Sequence, residues 1–360
     1  MNQRRKILFI CGSLNQTTMM HQIANHLPEC EVFFTPYYTD GFLKSLADRG
    51  LLDFTVMGGP QRRNTEKYLA ENNLPVDYGG SHNDYDLVVT CSDLVIPKNI
   101  CDKKIVLVQE GMTDPENMMY YLVKFLKLPR YLASTSTTGL SDAYNVFCVA
   151  SEGYRDHFIR KGVRPEKIAV TGIPNYDNCA ENLKNDFPHK NYVLIATSDA
   201  RETFKYENRK AFILKAVEIA KGRQLIFKLH PNENIERATR EINQYAPGAL
   251  VYSSGNTNHM IANCDVLITR FSTVVYVGIA LGKEVYSEFD IEELRRMTPI
   301  QNGCRSAENI ARICRSVMNG DFYNGSALLK TPVRKLEKSY KGKLVPALAK
   351  ILKPHSKDSF

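Results

Sequence analysis

Two apolar runs end in residues that can hold a phosphate. Leu225-Ile226-Phe227-Lys228-Leu229 stops at His230-Pro231-Asn232-Glu233-Asn234, and Asp265-Val266-Leu267-Ile268-Thr269 stops at Arg270-Phe271-Ser272-Thr273 before a helical pattern. Both read as buried strands. In an open parallel sheet, ligands bind at the carboxyl ends of the strands. A helix start with two hydroxyls and free backbone N–H groups is an anion site. The His230 ring can donate to a second phosphate oxygen. His230, Pro231, Ser272 and Thr273 therefore make a clamp for a nucleotide mono- or diphosphate. Each part also has a plainer reading. A residue before proline favours extended backbone and stops helices, and Ser and Thr favour helix N-caps for their own sake. Lys228 points to the same face as His230 but sits deep in its strand.

A strand ending in His-Pro, then a strand running into Ser-Thr before a helix, resembles the donor domain of GT-B-fold glycosyltransferases. Within them it is most similar to bacterial enzymes of capsule, polysialic acid and teichoic acid synthesis, the CDP-glycerol glycerophosphotransferase-like group. The likeness covers roughly residues 165–320 well and the N-terminal half in outline. It implies an α/β fold of two doubly wound Rossmann-like domains facing across a cleft. It also implies a metal-independent transferase with no cofactor, moving a sugar or alditol phosphate to a cell-surface glycan or lipid-linked acceptor. The donor is a UDP-, CDP-, CMP- or GDP-linked substrate. The enzyme is then cytoplasmic, or peripheral on the inner face of the plasma membrane.

The resemblance also suggests roles. Glu288, after the run Glu284–Ser287, sits where many such enzymes hold a ribose or sugar hydroxyl. Thr197 and Ser198 end a strand on the donor side, and Arg201 or Lys205 is placed to neutralise a leaving phosphate, since some cationic group or helix dipole must do so. Gly12 and Ser13 follow the first strand in a small-residue turn on the acceptor side. Glu110, with Asp114 behind it, follows the strand Ile105–Val108. A transferase needs one group to take a proton from the acceptor hydroxyl, and a strand-end carboxylate followed by glycine suits that task. The expected catalytic residues are Glu110 and His230. Two rivals stand beside this reading: a UDP-N-acetylglucosamine 2-epimerase-like isomerase, and a catalytically degenerate protein that binds a sugar nucleotide. The epimerase pattern has Ser-Gly-Gly and a glutamate where this chain has Phe271-Ser272-Thr273-Val274-Val275.

These residues need strands to hold them. Short apolar runs recur at 7–11, 31–35, 54–57, 87–91, 105–109 and 146–150, then at 168–171, 192–197, 225–229, 250–253, 266–269 and 284–286. Continuous apolar strands alternating with helices predict parallel sheets covered on both faces. Two such series predict two domains: 1–174 for the acceptor, 175–330 for the donor, and a basic helix or tail, 331–360, crossing back to the first. Gly172–Asp177 reads as the hinge, and Pro346 as a break in the tail.

The totals agree. The 360 residues are 43% hydrophobic and 24% charged, the composition of a folded water-soluble protein. The first apolar stretch is short and reads as a strand, not a leader. Nine cysteines without a C-x-x-C pair suit a reducing compartment and argue against structural zinc. Of the net charge of +8, most lies at the end of the chain: residues 330–360 hold nine Lys/Arg against Glu337 and Asp358. The body is near neutral, which excludes a general nucleic-acid binder. The basic tail suits peripheral contact with an anionic membrane. Asp84-Tyr85-Asp86 spells a metal–nucleotide signature but precedes its strand, at the wrong sheet edge, so no metal site is expected. Tyr120, Tyr121, Phe125 and Tyr131, with Lys124, Lys127 and Arg130, read as a packed helix face or as a contact for an acceptor lipid or glycan.

Overall fold

The computed structural model describes residues 4–202 and 206–321. The chain divides into two compact units, the first holding residues 4–178 and 299–321, the second 179–298.

The first unit is built on β1 (Lys6–Cys11), β2 (Glu31–Pro36), β3 (Leu87–Thr90), β4 (Ile105–Val108), β5 (Val146–Val149) and β6 (Ile168–Val170). All its pairings are parallel, in the order β2-β1-β3-β4-β5-β6. Its helices are α1 (Leu14–Ala24), α2 (Gly41–Asp48), α3 (Gly59–Glu71), α4 (Met118–Leu126) and α5 (Glu152–Lys161). The second unit has β7 (Val193–Ala196), α6 (Arg209–Ala220), β8 (Leu225–Lys228), α7 (Ile235–Tyr245), β9 (Leu250–Tyr252), α8 (Thr257–Asn263), β10 (Val266–Thr269), α9 (Val274–Ala280), β11 (Glu284–Tyr286) and α10 (Ile291–Met297). Its parallel sheet runs β11-β10-β7-β8-β9. A last helix, α11 (Ser306–Asn319), returns to the first unit and packs on α1 and on β3, β4 and β5.

The central strands are apolar on both faces. Every residue of β3, β4, β5, β7 and β10 is buried. Such strands have no solvent face to alternate with, which is why they read as continuous runs. The run 54–57 departs from expectation: it forms turns, not a strand. Thr55 satisfies the backbone locally, its hydroxyl donating to the Leu52 carbonyl at 2.7 Å and accepting the Met57 N–H at 3.1 Å. Side-chain bonds of this kind compete with a strand ladder, and Phe54 stays 77% exposed.

The division of the chain also differs from the expected one. The first unit runs to Asn178, and the segment that crosses back is 299–319. The turn expected as a hinge is bound to the start of α11. The Asp177 carboxylate accepts the Ser306 N–H at 2.8 Å, and its carbonyl accepts Asn302 N–H at 2.9 Å. Gly172 has φ +84, and a Cβ there would lie 2.2 Å from Ser306 Oγ. Only glycine allows that approach. Lys205, Pro346 and the tail 331–360 lie outside the described residues.

The first unit carries a pH-sensitive group. Burial, then Lys161 and Arg160, push the His157 imidazole on α5 down to about 4. Its pKa is thus lower in the fold than in the unfolded chain. Above pH 6.5 both states are neutral and nothing changes. As pH falls below 6.5, only the unfolded chain takes the proton, so stability is lost, by about 2–3 kcal/mol at pH 4. His157→Gln is expected to flatten that acid limb in urea titrations between pH 6.5 and 4; an unchanged limb contradicts the assignment.

Candidate functional site

In the first unit, β4 ends beside the start of α1. Gln109 fixes the strand end: its side chain accepts the Ala150 N–H at 2.9 Å and donates to the Gly111 carbonyl at 2.8 Å. Glu110 follows, partly exposed. Its Oε1 accepts from Ser13 Oγ at 2.8 Å and Asn15 Nδ2 at 3.4 Å, and its Oε2 accepts from Gln16 Nε2 at 2.5 Å. Ser13 is also the N-cap of α1, accepting the Gln16 N–H at 3.2 Å. A carboxylate at a helix N-terminus is favoured by the helix dipole. Gly12 makes the cradle possible, because a Cβ there would lie 1.9 Å from Gln16 Oε1. A carboxylate offers about four lone-pair sites; among the described residues three are engaged. Asp114 stands apart, its carboxylate accepting from Thr135 Oγ1 at 2.9 Å.

In the second unit, parallel strands bring four expected residues to one sheet edge: Thr197 after β7, His230 after β8, Ser272 after β10 and Glu288 after β11. The His230 ring is partly exposed, with 38% of its side chain open. Its Nδ1 faces the Asn232 N–H at 3.3 Å, with Asp199 Oδ2 at 3.7 Å. Accepting that N–H puts the neutral ring's own hydrogen on Nε2, a donor for an anion. Pro231 is exposed.

Beneath the His230 loop lies a layer of buried charge that the sequence reading passed over. The His230 N–H donates to Glu233 Oε2 at 2.8 Å and to Thr197 Oγ1 at 3.2 Å, and the Thr197 hydroxyl donates to Glu233. Glu233 pairs with Arg209 at 2.5 Å, and Arg209 Nε meets Glu207 Oε1 at 2.7 Å. The side chains of Glu207, Arg209 and Glu233 are 1%, 3% and 1% exposed. Burial raises the Glu207 carboxyl while Arg209 and Arg270 pull it back. Arg270 pairs with Glu288. Arg201, expected beside a phosphate, is held by both oxygens of Glu241 at 2.9 Å. Lys228 is buried and donates to the Leu229 and Ser253 carbonyls at 2.8 and 3.3 Å.

Thr197 and Glu288 are thus framework residues of this layer: one holds the His230 loop, the other an arginine. Ser198 stays partly exposed, with its carbonyl 3.4 Å from Arg209 Nη2. Thr273 precedes α9 with helical φ −59 and ψ −23, and its side chain makes no capping bond. The Ser272 and Thr273 carbonyls instead accept Val275 and Tyr276 N–H at 3.2 and 3.0 Å. Gly278 lets α9 sit close to the sheet, where a Cβ would meet Leu267 Cδ2 at 2.7 Å.

At the other edge, Asp84 pairs with Lys103 at 2.6 Å and Asp86 accepts the Lys6 N–H at 2.8 Å. Among the described residues no cluster of His, Cys, Asp and Glu is arranged to hold a metal ion. The basic tail expected to touch a membrane falls outside the described residues; within them, no helix is long and apolar enough to cross one.

Two parallel sheets, each backed by helices and each carrying its polar residues at the carboxyl edge, define an α/β protein of the GT-B fold. A UDP-N-acetylglucosamine 2-epimerase from Methanocaldococcus jannaschii, solved with UDP-N-acetylglucosamine and UDP, is 15% identical over 86% of this chain and 99% of its own, at a TM-score of 0.51. A Listeria monocytogenes structure assigned to the same activity is 14% identical over 88% of each chain, also at 0.51. The wall teichoic acid polymerase TagF is 12% identical over 88% of this chain and 89% of that one, at 0.46. At such identities the likeness is one of fold. No family model and no curated protein matches the chain.

Proposed function

We propose that the chain is a metal-independent transferase that moves a sugar or alditol phosphate from a nucleotide-activated donor to a hydroxyl acceptor. The observation that carries the reading is the His230 loop. A partly exposed ring stands at the carboxyl edge of a parallel sheet, its Nδ1 turned to the Asn232 N–H, on a buried frame of Thr197, Glu233 and Arg209. An imidazole N–H held in that way suits a phosphate oxygen whose negative charge grows as the bond to the donor breaks.

Glu110 supplies the second role on the other unit. Three donors fix its carboxylate and leave lone-pair room for one acceptor hydroxyl. In the proposed step Glu110 takes the hydroxyl proton. The acceptor oxygen bonds to the transferred group, and the nucleotide phosphate leaves with the bonding electrons. Each role rests on the geometry of its own unit.

The epimerase reading has the fold of two solved relatives in its favour. Against it, Val274 and Val275 open α9 where that activity's pattern has a carboxylate. Product analysis separates the two. The transferase reading expects no epimerised sugar nucleotide when UDP-N-acetylglucosamine is incubated with the chain without acceptor; its appearance would contradict the proposal.

A further inference from the structure

Helix α4 is apolar on the side that faces away from the protein. Met118, Met119, Tyr121, Leu122, Phe125 and Leu126 are 78, 41, 58, 40, 86 and 56% exposed. At 100° per residue these six fall on one face. Tyr120 and Val123, on the other, are buried at 1% and 3% and pack against Ala133. The helix ends at Lys127, in a left-handed cap with φ 53. The 3-10 segment Arg130–Thr137 then packs on α4 and adds Tyr131 and Leu132, 38% and 49% exposed. Scattered apolar side chains are ordinary on a protein surface; a continuous patch of this size marks a contact.

We infer that α4 and the start of the following 3-10 segment form a docking surface for an anionic lipid bilayer, with the helix lying in the plane of the interface. The charges around the patch select that occupant. Lys127 stands at the end of the patch, with Lys124 at its inner side and Arg130 beyond it in an ion pair with Asp93 at 3.0 Å, against the acid Glu116. Tyr121 and Tyr131 have apolar rings and polar tips, the side chains that settle at headgroup level. An interfacial helix with aromatic and aliphatic residues inward and cations at its border binds through apolar burial plus attraction to anionic lipid. A second copy of this face would set the same basic border against itself.

The anchoring of the patch fits this use. Lys161 at the end of α5 is buried and donates to the Ser136 carbonyl, with its ammonium 5.4 Å from the centre of the Tyr120 ring. Lys124 donates to the Lys161 carbonyl at 3.0 Å. The inner face is thus fixed to the body while the outer face stays open. This inference does not depend on the transferase reading.

The test is sedimentation of the full chain with vesicles of phosphatidylcholine plus phosphatidylglycerol, against phosphatidylcholine alone. The wild type is expected to sediment with the anionic vesicles. Leu122→Glu/Phe125→Glu is expected to lower the lipid partition coefficient at least about tenfold, since two large apolar side chains leave the interface. Lys127→Gln, which keeps the apolar face, is expected to lower it about fivefold on anionic vesicles. The basic tail is the same in every protein, so it cannot produce these differences. Melting curves check that the exposed substitutions leave the fold intact; should the double glutamate variant fail to fold, Met118→Gln/Phe125→Gln replaces it. Equal sedimentation of wild type and apolar-face variants overturns the inference. So does a wild type that ignores vesicles, or one that is a dimer in light scattering and becomes monomeric on substitution.

Discussion

Replacing Arg209 with methionine is expected to lower the thermal midpoint of the second unit by roughly 10 °C. Arg209 bridges Glu207 and Glu233 in a buried layer: all three side chains are at most 3% exposed. Removing one partner of a buried ion pair costs about 3–5 kcal/mol, because it strands charge in a poor solvent. Here Glu233 would be stranded, while Glu207 keeps Arg270 at 3.9 Å and Arg201 at 4.0 Å. The folded state answers by protonating Glu233 or by opening the 206–208 loop. Either relaxes the Glu233 side chain that holds the His230 N–H at 2.8 Å. Nucleotide binding should therefore weaken with stability. Adding Glu233→Gln to Arg209→Met is expected to recover part of the lost midpoint, since the unpaired charge is removed with its partner. A single variant that melts like the wild type would show the layer to be wet.

The second large effect is catalytic. Glu110→Gln is expected to lower the transfer rate by roughly 10²–10⁴-fold, the usual worth of a positioned general base, while leaving donor binding unchanged. The substitution is conservative in shape, and the Ser13 hydroxyl can turn to accept from the new amide as readily as it donates to the carboxylate at 2.8 Å. Ser13→Ala should cost less, because Gln16 still holds Oε2. Rates measured at saturating donor, with the melting temperature as control, separate a lost base from a lost fold. A Glu110→Gln enzyme within threefold of wild type would move the base elsewhere.

Most of the sheet framework was legible because buried parallel strands declare themselves as unbroken apolar runs. β3, β4, β5, β7 and β10 have no polar face to disguise them. The run 54–57 failed because Thr55 offers its backbone a local partner, which apolar content does not reveal. The edge rule brought Thr197, His230, Ser272 and Glu288 to one sheet edge, but it says nothing of where each side chain turns. Thr197 and Glu288 face inward to Glu233 and Arg270. The buried layer itself was hidden. Glu207 lies in a charged loop and Arg209 opens α6, positions that read as solvent-exposed, and their burial depends on Glu233 and Arg270 arriving from the ends of distant strands. At α4 the sequence left a packed helix face and a lipid or glycan contact both open, and exposure tells its two sides apart.

In the proposed function the His230 edge binds the phosphate of an activated nucleotide. The most direct measurement is a thermal-shift titration of the full chain with UDP, CDP, CMP and GDP and their sugar or glycerol conjugates, run in parallel on His230→Ala. A nucleotide at a hundred times its dissociation constant adds about 2.7 kcal/mol to the stability of the folded state. One of these nucleotides is expected to raise the midpoint of the wild type and to leave His230→Ala, which is itself as stable as the wild type, nearly unmoved. A nucleotide that stabilises both proteins equally would place the donor away from His230 and contradict the account.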